Sequence, residues 1–287
     1  MNQKIFVCSD IHGFYTPLKT ALKAKGFDEK NPDHILMVLG DYEDRGQEAV
    51  KLFKFLLKLQ KKGRLMAISG NHEDLILRLV SEIMREGKTY NSAHYSNGTI
   101  GTLAQFANDP EITRKFNQWE MLSETERQKV YDSIKPYLDF IHTTVNYYEI
   151  GKYIFTHGWI PFSSKDQNMY HSRKKVESFK DWRKLPDWSP MWDSARWLGY
   201  PTAVECSYFE PGKIIVCGHW HSSEWNAIQD NSEPYPTKKN GVDWQHVFRP
   251  AITDKFIAID ACTAYSGIVN VLVFEKVSEN ELILLDN

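Results

Sequence analysis

The sequence predicts a single α/β domain in which two β-sheets pack together and helices cover their outer faces. The first 70 residues alternate short apolar runs with amphipathic stretches, and this alternation is typical of parallel strands joined by crossover helices. Beyond residue 142 the apolar runs are mainly strand-like, which indicates a second sheet. On length alone, 287 residues form one large domain or two small ones. Because no linker-like or repeated segment interrupts the chain, we expect one domain over 1–287.

The first half of the predicted fold consists of three strands and two helices. Short apolar runs bounded by polar turn residues are consistent with buried strands. In one amphipathic stretch, Leu18, Ala21 and Leu22 fall on the same face, as the helical repeat requires. The predicted strands are 3–8, 34–39 and 64–68, and the predicted helices are 16–25 and 47–62.

The second half combines two insertions with further strands. We expect a helical insertion around 76–140, where charged faces recur, and a loop insertion around 222–250, which contains Pro and Gly. A Trp-rich polar segment covers 180–200. The later strand-like runs are 142–150, 152–156, 213–217, 255–260, 268–274 and 281–285.

Composition and charge exclude several classes of protein. The chain has 35 Lys and Arg against 37 Asp and Glu, for a formal charge of −2, which argues against a nucleic-acid binder held by phosphate attraction. No apolar run reaches the roughly 18 residues of a membrane span, and the N-terminus does not resemble a signal peptide. The four cysteines form no Cys-x-x-Cys pair. We therefore expect free thiols and a cytoplasmic location.

Polar clusters follow the three predicted strands of the first half. The segments are Ser-Asp-Ile-His-Gly at 9–13, Gly-Asp-Tyr-Glu-Asp-Arg-Gly at 40–46 and Ser-Gly-Asn-His-Glu at 69–73. Ligand-binding residues of parallel sheets collect at the carboxyl ends of the strands. Three such loops carrying carboxylate, imidazole and carboxamide groups therefore predict one functional site.

The side chains in these loops are suited to metal ions. Asp10 and His12 are two residues apart, so both can face a common ion at the end of a strand, and Asp41 adds a carboxylate that can bridge two ions. Asn71 offers an amide oxygen, and later strand-like runs end in Thr-His-Gly at 156–158 and Gly-His-Trp-His at 218–221. Mixed oxygen and nitrogen donors without thiolate favour Mn, Fe, Zn or Co over Ca or a structural zinc site.

Taken in order, the three motifs resemble the signature of the calcineurin-like metallophosphoesterases. The unbroken Asp-Arg-Gly and Gly-Asn-His-Glu are most similar to the phosphoprotein phosphatase branch, which includes Ser/Thr protein phosphatases, phage and bacterial phosphatases, and diadenosine tetraphosphatases. This resemblance implies a four-layer α/β/β/α sandwich of two mixed sheets flanked by helices. It also implies two metal ions, with Mn expected in vitro and Fe, Zn, Co or Ni as alternatives.

The resemblance implies a role for each matching residue. In the metal centre, Asp10 and His12 would bind the first ion and Asp41 would bridge both ions. The second ion would be bound by Asn71, His157 and His219.

Three further residues of the motifs are implied to act on the substrate. His72 would be the general acid that protonates the leaving oxygen. Asp44 would pair with His72 and hold its orientation and charge. The planar guanidinium of Arg45 would bind phosphate oxygens.

Two positions depart from the pattern or leave it open. His221 follows His219 where protein phosphatases usually lack a second histidine, and we expect it within reach of the first metal; the alternative is a loop-packing histidine. Arg196 is the expected second phosphate-binding arginine. Its rivals are Arg183 and Arg173, and the alternative is a surface arginine stacked on a tryptophan.

The expected function is hydrolysis of phosphomonoesters, with phosphoserine or phosphothreonine in protein as the favoured substrate class. The alternative enzyme is a hydrolase of diadenosine tetraphosphate or another nucleotide, for which clustered tryptophans would stack a base. A remote alternative is a non-catalytic binding protein on the same scaffold. The expected partners are a phosphoprotein or a small phosphorylated substrate, without membrane or nucleic acid, and the sequence carries no signal of oligomeric state.

Overall fold

The computed structural model describes residues 3–163, 177–178, 181–237 and 243–285. The strands are β1 (Gln3–Cys8), β2 (His34–Leu39), β3 (Leu65–Ile68), β4 (Tyr147–Ile150), β5 (Tyr153–Thr156), β6 (Phe162–Ser163), β7 (Glu177–Ser178), β8 (Ile214–Cys217), β9 (Ala251–Ile252), β10 (Phe256–Ala258), β11 (Leu272–Ser278) and β12 (Glu281–Leu285). The helices are α1 (Tyr15–Ala24), α2 (Ala49–Gln60), α3 (Asn71–Glu86), α4 (Ala93–Ser96), α5 (Thr99–Ala107), α6 (Pro110–Asn117), α7 (Glu124–Ile141), α8 (Pro190–Arg196), α9 (Tyr200–Glu205), α10 (Ser222–Asp230) and α11 (Thr263–Ser266).

Two mixed five-stranded sheets form the centre of the fold. The first has the order β12-β11-β1-β2-β3 and the second the order β4-β5-β8-β10-β9. In each sheet the three strands that precede the polar loops run parallel, while the flanking strands pair antiparallel. The carboxyl ends of the parallel strands therefore carry the motifs found in the sequence.

The side-chain alternation of β1 shows how the layers are assembled. Ile5 and Val7 pack into the layer between the two sheets, together with Phe155 of β5 and Val216 of β8. Phe6 faces the opposite side and packs in the cluster formed with the helices. Each such buried side chain stabilises the fold by about 1.5–3 kcal/mol. Since β5 and β8 also pack against α8 and α9 on their outer face, the predicted α/β/β/α sandwich is confirmed.

The structure differs from the sequence prediction in several places, and the strand expected at 142–150 begins only at Tyr147. Residues 222–250, expected to form a loop, contain α10, whose Asn226 side chain donates to the carbonyls of Val247 and Arg249. The strand expected at 268–274 begins only at Leu272, which pairs with Val7 of β1, whereas the Asn270 side chain before it donates to the carbonyls of Phe248 and Ile259. The Trp-rich segment contains α8.

Other expectations concern the insertions, the thiols and the membrane. Residues 76–140 are helical from α3 to α7, while the division of the chain into one domain with two insertions stays a prediction. All four cysteines are free, with Cys8 and Cys217 buried. Within the described ranges, no helix has both the length and the apolar character that crossing a bilayer requires.

The N-terminus of α7 allows a direct test of how this helical segment is stabilised. Ser123 forms a capping box with Glu126, in which the Glu126 carboxylate accepts the Ser123 N–H at 2.8 Å. We predict that Ser123→Ala lowers the free energy of unfolding by about 1 kcal/mol, measured by urea denaturation. Ser133→Ala in the interior of the same helix is the matched control and is expected to be neutral or stabilising. Equal losses in both variants would contradict the capping role.

Candidate metal centre

Backbone hydrogen bonds connect neighbouring polar loops within each sheet. The Asp10 N–H donates to the Gly40 carbonyl at 3.2 Å and the His12 N–H donates to the Asp41 carbonyl at 3.0 Å. On the second sheet, the Gly218 N–H donates to the His157 carbonyl at 2.7 Å. Between the sheets, the His219 N–H donates to the Asp10 carboxylate at 3.0 Å and His157 Nδ1 donates to the Leu39 carbonyl at 2.6 Å. The loops of both sheets therefore form one cluster.

Much of this cluster has an unusual backbone conformation. A positive φ is uncommon outside glycine and is sterically costly. Six of the residues singled out from the sequence nevertheless have φ between 49° and 75°. They are Asp10, His12, Asp41, Asp44, Arg45 and His219. The surrounding fold thus holds the site residues in conformations that an isolated loop would avoid.

Asp41 lies at the centre of the site. Its Oδ1 is 3.3 Å from His157 Nε2, while its Oδ2 is 3.7 Å from His12 Nε2 and 3.8 Å from His72 Nε2. Two groups of mutually close ligand atoms share it: one adds His12 and His72, the other His157 and His219. The two oxygens therefore face two different sets of imidazoles, as a bridging carboxylate must.

Hydrogen bonds to the backbone orient the imidazoles. His12 Nδ1 donates to the Glu43 carbonyl at 3.0 Å, and His157 Nδ1 donates to the Leu39 carbonyl at 2.6 Å. In both rings the Nε2 lone pair is left to face the centre, an arrangement found around metal-ligating histidines. Burial, with a further contribution from neighbouring histidines, lowers the pKa of His12 and His219 well below the usual range, so both rings are neutral.

Two further observations fit a cation at this position. His157 Nε2 lies 2.8 Å from Asn71 Oδ1, so two electron-rich atoms converge on the same space. Burial, reinforced by the charges of Asp10 and Glu73, raises the pKa of Asp41 well above its usual range, although His72 opposes the shift. A carboxylate so desolvated stays ionised when positive charge compensates it. The donor set therefore fits metal ions of the oxygen- and nitrogen-binding kind.

Asp10 and His221 lie beside these groups but belong to neither of them. Asp10 Oδ2 accepts the His219 backbone N–H at 3.0 Å. His221 Nδ1 is 2.7 Å from the Tyr235 hydroxyl, which itself donates to Glu224, and His221 Nε2 is 3.8 Å from Asp260. The assignment of both residues to the first ion stays a prediction.

His72 and Asp44 form a buried ion pair beside Asp41. His72 Nδ1 donates to Asp44 Oδ2 at 2.6 Å, and both side chains are buried. Burial alone lowers the pKa of His72, but the charge of Asp41 and the hydrogen bond and charge of Asp44 outweigh it and raise the pKa above the ordinary value. The arrangement is that of a histidine held in its protonated form with Nε2 facing the centre.

The predicted arginines occupy different environments. Arg45 Nη1 donates to His12 Nε2 at 2.7 Å, and its Nη2 is 3.3 Å from His72 Nε2, so this guanidinium covers the centre. Arg196 is instead bound to Asp74, Asp193 and the Asn146 side chain. Its role as a phosphate-binding group stays a prediction.

Of the two rivals of Arg196, only Arg183 lies among the described residues. Arg183 forms ion pairs with Glu149 and Glu210 on the outer side of the second sheet. Arg173 lies outside the described residues.

Sequence reasoning assigned no role to Glu73, which organises the loops. Its carboxylate accepts the backbone N–H groups of Gly70 at 2.6 Å, Asp41 at 3.0 Å and Tyr42 at 3.1 Å. These bonds connect the loops that follow β2 and β3. The available signal was a glutamate at the third position of a helix that starts after a glycine, which is the acidic half of a capping box.

The close approach of the second sheet to Asp10 generates a prediction. A Cβ atom on Gly218 would lie 2.1 Å from Asp10 Oδ2. Gly218→Ala is therefore expected to displace that carboxylate and to weaken Mn²⁺ binding about 10–100-fold, measured by isothermal titration calorimetry. Gly101→Ala, which meets open space in α5, is the matched control and should bind Mn²⁺ like the parent. Unchanged affinity in Gly218→Ala would separate Asp10 from metal binding.

Comparison with known proteins places this geometry in a family. The calcineurin-like phosphoesterase model matches residues 3–223. The chain is 24% identical over 212 residues to the asymmetrical bis(5'-nucleosyl)-tetraphosphatase PrpE of Bacillus velezensis, covering 68% of this chain and 75% of that protein. It is 37% identical over 71 residues to the serine/threonine-protein phosphatase PP1-delta of Caenorhabditis elegans, covering 24% and 22% of the two chains.

Among solved structures, the chain is similar to the cold-active protein-tyrosine phosphatase of a Shewanella species. The two share a TM-score of 0.48 and 14% identity over 100% of this chain and 81% of that one. The relatives are phosphatases and hydrolases of phosphate esters. The chain therefore belongs to the calcineurin-like phosphoesterase family and is a hydrolase acting on phosphate ester bonds.

Proposed function

We propose that this chain hydrolyses phosphomonoesters at a two-ion centre, with phosphoserine and phosphothreonine in proteins as the substrate class. The observation that carries the proposal is the position of Asp41 between His12 on one side and His157 with His219 on the other. The His72–Asp44 pair lies on the His12 side of the same carboxylate. A bridging carboxylate next to a protonated histidine provides both parts that alkyl phosphate hydrolysis needs: charge stabilisation at phosphorus and a proton for the leaving oxygen.

The residues proposed to hold the ions are those implied by the family resemblance. Asp10 and His12 would bind one ion, Asn71, His157 and His219 the other, and Asp41 both, with His221 an additional candidate for the first ion. Bound ions would polarise the phosphoryl oxygens and lower the pKa of the attacking water. We propose Mn as the ion for activity in vitro, with Fe, Zn, Co and Ni as alternatives accepted by the same donors.

The chain's own side chains perform the remaining steps. The Arg45 guanidinium, which covers the centre, binds phosphoryl oxygens through its planar donors and neutralises the charge that develops on them. His72 transfers its Nε2 proton to the leaving oxygen as the bond between phosphorus and that oxygen breaks. Asp44 accepts the Nδ1–H of His72 at 2.6 Å, which fixes the direction of the ring and stabilises its positive charge.

A second candidate substrate is a nucleotide such as diadenosine tetraphosphate. It is favoured by the exposed aromatic rings beside the centre. Trp197 is 38% exposed and meets the His219 ring edge-on at 5.9 Å, and Trp220 is 40% exposed with its ring 6.3 Å from the same histidine. Rings in this position can stack a base while the phosphates reach the centre. Relatives named as bis(5'-nucleosyl)-tetraphosphatases also favour a nucleotide substrate.

The bridging position of Asp41 gives the primary test of the chemistry. Asp41→Asn is expected to lower kcat/KM by about 10³-fold or more on every substrate, because the negative charge between the two ions is lost. Phosphate release from a phosphothreonine peptide by Mn-loaded protein is the assay. Diadenosine tetraphosphate products are followed chromatographically, since symmetrical cleavage frees no phosphate. Asp139→Asn, an exposed partner of Lys135, is the control, and an unchanged rate in Asp41→Asn would remove the mechanism.

The aromatic residues beside the centre decide between the two substrate classes. If a base stacks on Trp220, Trp220→Ala should raise KM for diadenosine tetraphosphate by a factor corresponding to about 1–3 kcal/mol and leave the phosphothreonine peptide unaffected. Trp119→Ala is the matched control, because Trp119 is also exposed but stacks on Tyr95 in the helical segment. Turnover of the peptide alone, with no effect of Trp220→Ala, would exclude the nucleotide.

A further inference from the structure

One face of α5 follows the loop that carries Asp44 and Arg45. Thr99, Thr102 and Gln105 are spaced three residues apart, so their side chains lie on one side of the helix. The Gln105 amide accepts the Ala49 N–H at 3.0 Å and donates to the Gly46 carbonyl at 2.9 Å. The two threonines contact Asp44 itself. A helix from the segment between β3 and β4 thus contacts this loop from Asp44 to the start of α2.

His72 forms one hydrogen bond with the Asp44 carboxylate. The two threonines supply further donors to both carboxylate oxygens. Thr102 Oγ1 donates to Asp44 Oδ1 at 2.7 Å and also accepts the Asp44 N–H at 2.9 Å. Thr99 Oγ1 donates to Asp44 Oδ2 at 2.9 Å, the same oxygen that accepts His72 Nδ1–H. Thr99, Thr102 and Asp44 are each at most 1% exposed, so water does not replace these donors.

We propose that Thr99 and Thr102 are positioning residues for the general acid: they hold the Asp44 carboxylate at the angle at which it orients His72. The proposal rests on the proposed function, because it concerns the proton donor of that reaction. It assigns the helical segment between β3 and β4 a part in catalysis, although none of its residues beyond α3 belongs to the metal-ligand groups.

The geometry explains why such support is needed. Asp44 and Arg45 have φ of 75° and 63°, a conformation that persists only when neighbours over-determine it. A Cβ on Gly98 would lie 2.5 Å from the backbone nitrogen of Arg45. The residue before α5 must therefore be glycine for the helix to approach the loop this closely. Without the threonine hydroxyls, the Asp44 carboxylate would keep the single His72 bond and could rotate about its side-chain torsion.

Removing each hydroxyl while keeping the shape tests the proposal. Thr102→Val and Thr99→Val should lower kcat about tenfold for an alkyl phosphate such as a phosphothreonine peptide, while KM changes less than about twofold. The loss should be much smaller for p-nitrophenyl phosphate, whose acidic leaving group departs without a proton. Thr102→Ser, which keeps the hydroxyl, should restore the rate on the alkyl substrate.

The controls separate this proposal from the proposed function. Thr113→Val, in α6, removes a hydroxyl that donates to the carbonyl of Asp109 before that helix. It should leave kcat unchanged on both substrates. His72→Asn should show the same selectivity for the alkyl phosphate as the threonine variants, only larger. If His72→Asn shows no such selectivity, the general-acid function itself is wrong. If it does and the valine variants reduce both substrates equally or neither, the positioning role of the threonines is overturned.

A spectroscopic measurement keeps the proposal testable if a valine variant is poorly stable. The His72 Nδ1–H bonded to Asp44 is expected to give a far-downfield proton resonance, assigned by its loss in Asp44→Asn. Thr99→Ser and Thr102→Ser should leave it in place, and Thr102→Val should shift or broaden it. An unshifted resonance in Thr102→Val would show that Asp44 keeps its geometry without the hydroxyl, and would overturn the proposal.

Discussion

Burial of the Asp41 carboxylate among imidazoles is the constraint on which the rest of the site depends. Its two oxygens face His157 on one side and His12 and His72 on the other. Burial raises the pKa of this carboxyl well above its usual range, so positive charge placed beside it favours its ionised form. The two sheets supply the surrounding groups from opposite halves of the chain, so the sandwich must form before the site exists.

The fold meets this constraint by restraining the backbone. Six site residues have positive φ, and each such conformation costs of order 1–3 kcal/mol. Glu73 gathers the N–H groups of the loops after β2 and β3, and α5 holds the loop after Asp44. Strain at the site is thus offset by buried hydrogen bonds from elements around it. The same rigidity keeps His72 Nε2 facing Asp41, as the proposed role of a proton donor requires.

The sequence predicts the fold class and the first three strands because their signal is local. Apolar runs end in polar loops, and parallel strands bring those loops to one edge. The late strand β11 begins at Leu272, where its pairing with β1 starts, while the preceding Asn270 side chain bonds to the carbonyls of Phe248 and Ile259. No apolar pattern reveals either contact. The contacts of Arg196 with Asp74, 122 residues away, and of Thr102 with Asp44, 58 residues away, depend on tertiary packing alone. Motifs therefore identify the candidate ligands, whereas the groups that position them can be identified only from the fold.

The proposed chemistry depends on Asp41 joining two metal ions. The electron paramagnetic resonance spectrum of protein loaded with two equivalents of Mn²⁺ tests it most directly. Two ions bridged by one carboxylate, some 3.5–4 Å apart, interact magnetically and give the spectrum of a coupled pair. We expect the spectrum of a coupled pair for the parent chain. A spectrum of magnetically isolated Mn²⁺ at both equivalents would contradict a shared Asp41 and, with it, the proposed two-ion centre.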